Sequence, residues 1–169
     1  YSQETMCGFE YQAGIHMIQE GLVEEGMEMV KAIRDRVDGE RRNPWNEFEC
    51  GSNYARSMAS YGLLLAYSGF GCDMAQGYLT FKPLHPSRPQ QFFWSVDAAW
   101  GEIRWTDNAI ELTVMDGQLP LRSLGIPEAE QVGQAWLDQT AVDCVCQNQT
   151  LQFPELKVLA GSTLKLVTG

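Results

Sequence analysis

Residues 43–56, NPWNEFECGSNYAR, gather side chains that grip polar ligands into one short connection. Glycine, proline, serine and asparagine belong in such a stretch for backbone reasons. Trp45, Glu47, Glu49 and Arg56 do not. Glu47 offers an acceptor and Arg56 a planar fork of donors, a pair able to hold adjacent hydroxyls of a sugar. Trp45 adds a flat apolar surface on which a sugar ring can stack. Each residue also has a plainer use, Glu47 and Arg56 as a salt bridge fixing the loop, Trp45 as packing. Glycosidic hydrolysis requires two carboxylates on opposite sides of the scissile bond. Glu47 and Glu49, two positions apart, point the same way in extended chain and flank nothing. A self-contained hydrolase that uses these two carboxylates is therefore the least favoured reading of the chain.

Other groups carry weaker signals. Glu10, Tyr11 and Gln12 at the start of a helix read as capping chemistry or as a second ligand patch. The stretch QFFWSVDAAWGEIRW holds Phe92, Phe93, Trp94, Trp100 and Trp105. An aromatic sugar platform is conceivable there, but aromatics in strands mostly build cores. Asn148-Gln149-Thr150 matches the N-glycosylation acceptor, a pattern common by chance. Asp143 beside Cys144 has no histidine near it in sequence to complete a nucleophile–base pair. No glycine-rich phosphate loop occurs. The five cysteines, Cys7, Cys50, Cys72, Cys144 and Cys146, are odd in number and irregularly spaced, which favours free or buried thiols. With only His16 and His85 as imidazoles, no zinc-type spacing exists, and no metal or cofactor is expected.

Composition narrows the partners. Of 169 residues, 44% are hydrophobic, as in a folded globular protein. Twelve basic against 22 acidic residues give a net charge of −10, which repels phosphate backbones and makes nucleic acid a poor partner. No apolar run approaches the roughly 18 residues of a transmembrane segment.

The elements that must position these groups change character along the chain. Ile15, Ile18 and Leu22 recur at helical spacing, and Val23, Met27, Val30 and Val37 continue after Gly21. Acidic Glu24 and Glu25 precede basic Lys31, Arg34 and Arg36, the order a helix dipole favours, and Gly39 follows as a stop. Tyr54, Met58, Tyr61 and Leu65 form the stripe of a third helix, with Ser52 as its N-cap and Gly69 as its stop. From about Gly77 the period falls to two. Tyr78 and Thr80 alternate with Leu79 and Phe81, and Ile110, Leu112 and Val114 share a face. Asp116-Gly117 reads as a hairpin turn, and Gly161 separates two further alternating runs. The expected class is α+β: a helical segment over 1–74, then an antiparallel β-strand-rich region over 75–169. The helical segment is small for its apolar stripes and reads as part of something larger.

Two long runs add a resemblance. MIQEGLVEEGMEMVKAIRDR, followed by RNPWNEFECGSNYARSMASYGLLLAYSGF, resembles the closing part of the catalytic domain in glycoside hydrolase family 116. That family includes β-glucosidases, β-xylosidases and non-lysosomal glucosylceramidases. The likeness covers residues 6–70 and continues less distinctly through GYLTFKPL and FFWSVDAAWG. Beyond Pro127 the chain resembles nothing identified and reads only as strands. The resemblance implies the last helices of an (α/α)6 barrel in a retaining β-glycosidase, with nucleophile and acid/base N-terminal to this segment. It implies that the glutamate binding the outer hydroxyls of the sugar falls on Glu47, and its arginine partner on Arg56. The sequence departs from the glucosylceramidase branch beside that glutamate: Asn46 precedes it instead of proline, and Phe48-Glu49-Cys50 follow instead of alanine and an aromatic. Glu49 thus inherits no role; it either extends the hydrogen-bond set or supports Arg56. The partners so implied are a β-glucoside or β-xyloside and the remaining barrel helices. A non-catalytic carbohydrate-binding or structural module is the alternative, given the aromatic-bearing strand region and the missing catalytic pair.

Overall fold

The computed structural model of the chain describes residues 6–43, 56–85 and 87–169. The fold is mixed α+β and divides into two compact units, Tyr1–Tyr67 and Ser68–Gly169.

The first unit holds α1 (Cys7–Gln19), α2 (Val23–Arg36), a 3₁₀ helix (Arg56–Tyr61) and α3 (Gly62–Ser68), which ends at the unit boundary. In α1 the buried residues are Cys7, Tyr11, Gly14 and Ile18; in α2 they are Gly26, Val30 and Ile33. Both sets follow helical spacing, so each defines one stripe. The helices meet closely on two glycines: a β-carbon on Gly26 would lie 2.6 Å from the Gly14 carbonyl oxygen and 2.7 Å from Ile18 Cγ1. Gly21, with φ of 88°, makes the reversal between them. Glu10 and Arg36 pair across the open end of this helical hairpin.

The expected faces are partly corrected. Ile18, Val30 and Val37 are buried as the spacing predicts, but Leu22 and Met27 are exposed. The glycine contact rotates the buried stripe onto 14 and 26, which a search for large apolar residues passes over. The third helix differs further. Its described part opens as a 3₁₀ turn, and Met58 and Tyr61 are 64% and 70% exposed, with Leu65 also exposed. The inward positions are Ala59 and Leu63, packed against the helical core. A β-carbon on Gly62 would lie 2.7 Å from Ile15 Cδ1, so this close approach selects the inward face. Ser52 and Tyr54 lie outside the described residues.

Among its described residues the second unit contains ten strands: β1 (Gly71–Asp73), β2 (Tyr78–Thr80), β3 (Gln90–Val96), β4 (Ala99–Trp105), β5 (Ala109–Gly125), β6 (Val132–Leu137), β7 (Thr140–Val142), β8 (Val145–Gln147), β9 (Thr150–Leu159) and β10 (Thr163–Thr168). One half-sheet runs β3-β4-β5-β10-β6-β7, the other β1-β2-β5-β9-β8. The long β5 belongs to both. All pairs are antiparallel except β2 with β5, so the sheet is mostly, not wholly, antiparallel.

The hairpin expected at Asp116-Gly117 does not form; β5 continues through it. Its buried residues switch there from Ile110, Leu112 and Val114 to Leu119 and Leu121, an odd step that turns the strand over. A register shift opposite Trp100 and Gly101 supplies the extra residue. Gly117 has φ of 82°, and a β-carbon there would collide with the Ala98 carbonyl oxygen. The glycine thus bends a strand between two half-sheets where a turn was expected. Leu79 and Phe81 are buried, and Gly161, at φ of 84°, joins β9 to β10, both as the alternation predicts. One continuous core joins residues from both half-sheets, among them Phe81, Trp94, Trp105, Leu121, Val158 and Leu166.

Candidate functional site

Of the residues expected to grip a sugar, Arg56 opens the 3₁₀ helix, while Trp45, Glu47 and Glu49 lie outside the described residues. Ala59 lines a cavity of about 420 Å³ with Gly8, Gln12, Ile15, His16 and Gln19. The α1 members recur at helical spacing and form one face of that helix. Among the described lining residues Gln12, Gln19 and His16 supply donors and acceptors beside Ile15 and Ala59. Glu10, Tyr11 and Gln12 do not act together: Glu10 pairs with Arg36, Tyr11 is buried in the core, and only Gln12 faces the cavity.

In the β-unit, sequence reasoning missed a cluster around Trp105. Arg88 lies with its guanidinium carbon 5.8 Å from the Trp105 ring centroid and pairs with Glu128. The Trp105 Nε1–H donates to Glu128 Oε2 at 3.4 Å. A carboxylate so occupied is no free base; it fixes the β2–β3 connection against the one after β5. The three residues are far apart in sequence, and no spacing signals their meeting.

The thiols offer little chemistry. Cys72, Cys144 and Cys146 are free thiols, Cys7 is buried in α1, and Cys50 lies outside the described residues. Burial, reinforced by Cys146 and Asp143, raises the Cys144 pKa, so this thiol stays protonated at neutral pH. Among the described residues no cluster of His, Cys, Asp or Glu could hold a metal ion. No helix among them is long and apolar enough to cross a membrane. Asn148 of the glycosylation-type triplet sits exposed at the β8–β9 turn with φ of 51°.

The aromatic stretch divides. Trp94 and Trp105 are buried, and Phe92 packs on the core, as expected for strand aromatics. Phe93 and Trp100 are instead 57% and 41% exposed, side by side on the outer face.

No protein-family model and no curated protein matches the chain. Among solved structures it is similar to a GH127 β-arabinofuranosidase, at a TM-score of 0.43 and 14% identity, over 72% of this chain and 21% of that one. The chain therefore spans about a fifth of the length of that glycoside hydrolase.

Proposed function

We propose that the chain is the C-terminal part of a retaining β-glycosidase acting on β-glucosides or β-xylosides. Glu47 and Arg56 hold hydroxyls of the bound sugar, Trp45 stacks on its ring, and Glu49 extends the hydrogen-bond set or supports Arg56. Nucleophile and acid/base belong to the N-terminal remainder of an (α/α)6 barrel whose last helices this chain supplies. The observation that carries the reading is the run RNPWNEFECGSNYARSMASYGLLLAYSGF, which couples a sugar-gripping loop to a helix as in glycoside hydrolase family 116. The reading is supported by the order of a helical and then a β-unit. The exposed Leu22, Met27, Met58 and Tyr61 agree with it, as apolar surface that neighbouring barrel helices would cover.

Such hydroxyl contacts aid catalysis only as far as they strengthen in the transition state. In the native protein that contains this segment, Arg56→Ala is expected to lower kcat/KM on an aryl β-glucoside or β-xyloside on the order of a hundredfold, matching lost charged hydrogen bonds of about 1.5–3 kcal/mol. An unchanged kcat/KM removes Arg56 from the site. A native protein that turns over neither substrate ends the glycosidase reading.

A further inference from the structure

The outer face of the first half-sheet is mainly polar, yet at its β3 edge two large rings stand in solvent. Phe93 on β3 and Trp100 on β4 have ring centroids 6.1 Å apart and planes inclined by 39°. Among the described residues β3 pairs with β4 alone, so Phe93 stands on the edge strand and Trp100 one strand further in. Strand alternation explains why these two escaped the core: Trp94, Gly101 and Ile103 take the inward positions, and Phe93, Trp100, Glu102 and Arg104 the outward ones.

The groups around the rings are arranged. Phe93 stands in register with Glu102, and Trp100 with Ser95 and Asp116. Gln91 Nε2 donates to one oxygen of Glu102, and Arg104 Nη2 donates to the other at 3.4 Å. The guanidinium is thereby engaged by a carboxylate. Two aromatic faces thus border a bound carboxylate, an amide, a free hydroxyl and a second acid. We propose that Phe93 and Trp100 form a carbohydrate-binding ledge for neutral β-linked oligosaccharides, with Glu102, Gln91 and Ser95 contacting sugar hydroxyls.

The chemistry selects this occupant. A pyranose in an all-equatorial β-linked chain has a flat C–H face that seats on an aromatic ring and an edge of hydroxyls that needs acceptors and donors. Arg104, the cation beside the rings, is already paired with Glu102, and Asp116 adds a negative charge opposite Trp100, which disfavours anionic polymers and nucleic acid. A second copy of this chain would bring the same acids and its own net charge of −10 to the ledge. The site lies wholly within the β-unit and does not rest on Glu47 or Arg56, so either can fail without the other.

The test is titration of the full chain with cellopentaose and with xylopentaose, followed through the indole N–H signals in ¹H–¹⁵N NMR spectra and by calorimetry. The ledge predicts saturable shifts of the Trp100 indole while buried Trp94 and Trp105 stay still. Loss of affinity of about tenfold or more is expected in Phe93→Ala/Trp100→Ala, two exposed positions whose change leaves the melting temperature near that of the parent. Shifts confined to the Trp45 indole would overturn the ledge and favour the loop site. Absence of a Trp100 shift with both sugars at millimolar concentration would also overturn it. So would concentration-dependent dimerisation that Trp100→Ala abolishes, which would make the rings a contact between copies.

Discussion

In the helical unit, α1 and α2 approach on Gly14 and Gly26, and the core closed beside that crossing consists of Cys7, Tyr11, Val30, Ile33 and Val37. Around it Leu22, Met27, Met58 and Tyr61 remain exposed. The β-unit uses one long strand to join two half-sheets over a core that includes Phe81, Trp94, Trp105 and Leu121. Large rings fill that interior, and the exposed aromatic pair stands on β3 and β4. Stability in the β-unit thus rests on bulk burial, whereas in the helical unit it rests on backbone proximity and a few contacts. A unit of the second kind gains most from further helices packed on its apolar face.

The largest expected effect tests the bulk side of this contrast. Trp105→Ala empties a fully buried site and removes the ring and N–H that hold Arg88 and Glu128. A loss of about 3–5 kcal/mol is expected for such a truncation. It should appear in the β-unit transition by near-ultraviolet circular dichroism and leave the helical signal at 222 nm intact at temperatures below that transition. A cost under about 1 kcal/mol would mean that the β-core does not depend on its rings.

Gly26→Ala probes the other side. The new methyl would press on the Gly14 carbonyl oxygen and Ile18 Cγ1, at 2.6 and 2.7 Å. Overpacking costs about 1–3 kcal/mol, offset by about 1 kcal/mol of better helix propensity. A net loss is expected in the helical unit alone. Gly133→Ala, where a β-carbon meets nothing within 4 Å, is the matched control in β6. Stabilisation by Gly26→Ala in thermal melts would show that the helices are free to separate.

The sequence was legible where the buried residue was large and the period regular. Ile110, Leu112 and Val114 announce their shared face, and the alternation of Leu79 and Phe81 announces theirs. It was not legible where a glycine decided the packing. Gly14 and Gly26 have no apolar side chain to register in a pattern, so the spacing points to Leu22 and Met27 in their place. Asp116-Gly117 looked like a turn because a left-handed glycine serves a hairpin and a bent strand equally. The partner that distinguishes them, the register shift at Trp100/Gly101, lies on another strand. Of the candidate sugar-gripping residues, only Arg56 falls on a described element. The exposed Phe93 and Trp100 are hidden among Phe92, Trp94 and Trp105, because residue type does not reveal which side of a strand faces water.

Thiol reactivity gives a smaller, kinetic contrast within the β-unit. Cys72 and Cys146 are exposed, while burial holds Cys144 protonated. Under brief iodoacetamide labelling at pH 7.5, peptide mass spectrometry should find Cys72 and Cys146 modified before Cys144. Equal labelling of all three would mean that the margin around Cys144 opens readily.

The smallest effect lies just past α2 and tests whether local contacts hold the helical unit. Asp38 Oδ1 accepts the backbone N–H of Arg41 at 2.8 Å and that of Glu40 at 3.0 Å. The Arg41 amide bond is the main reason its carboxyl pKa lies below the ordinary value. Because the folded pKa is the lower one, the contribution to stability is complete above the usual carboxylate pKa. It is lost as the pH falls through the lowered value. The residue lies at the surface, so the change should be local. An NMR titration from pH 6 to pH 2 is expected to move the Glu40 and Arg41 amide signals together with the Asp38 carboxyl. Core methyls of Leu121 and Val158 should stay in place over the Asp38 step. A carboxyl that titrates above the normal range, or amides that ignore it, would separate the loop from Asp38. Movement of the β-core in the same step would break the contrast itself, because one exposed acid would then be coupled to an interior built from bulk burial.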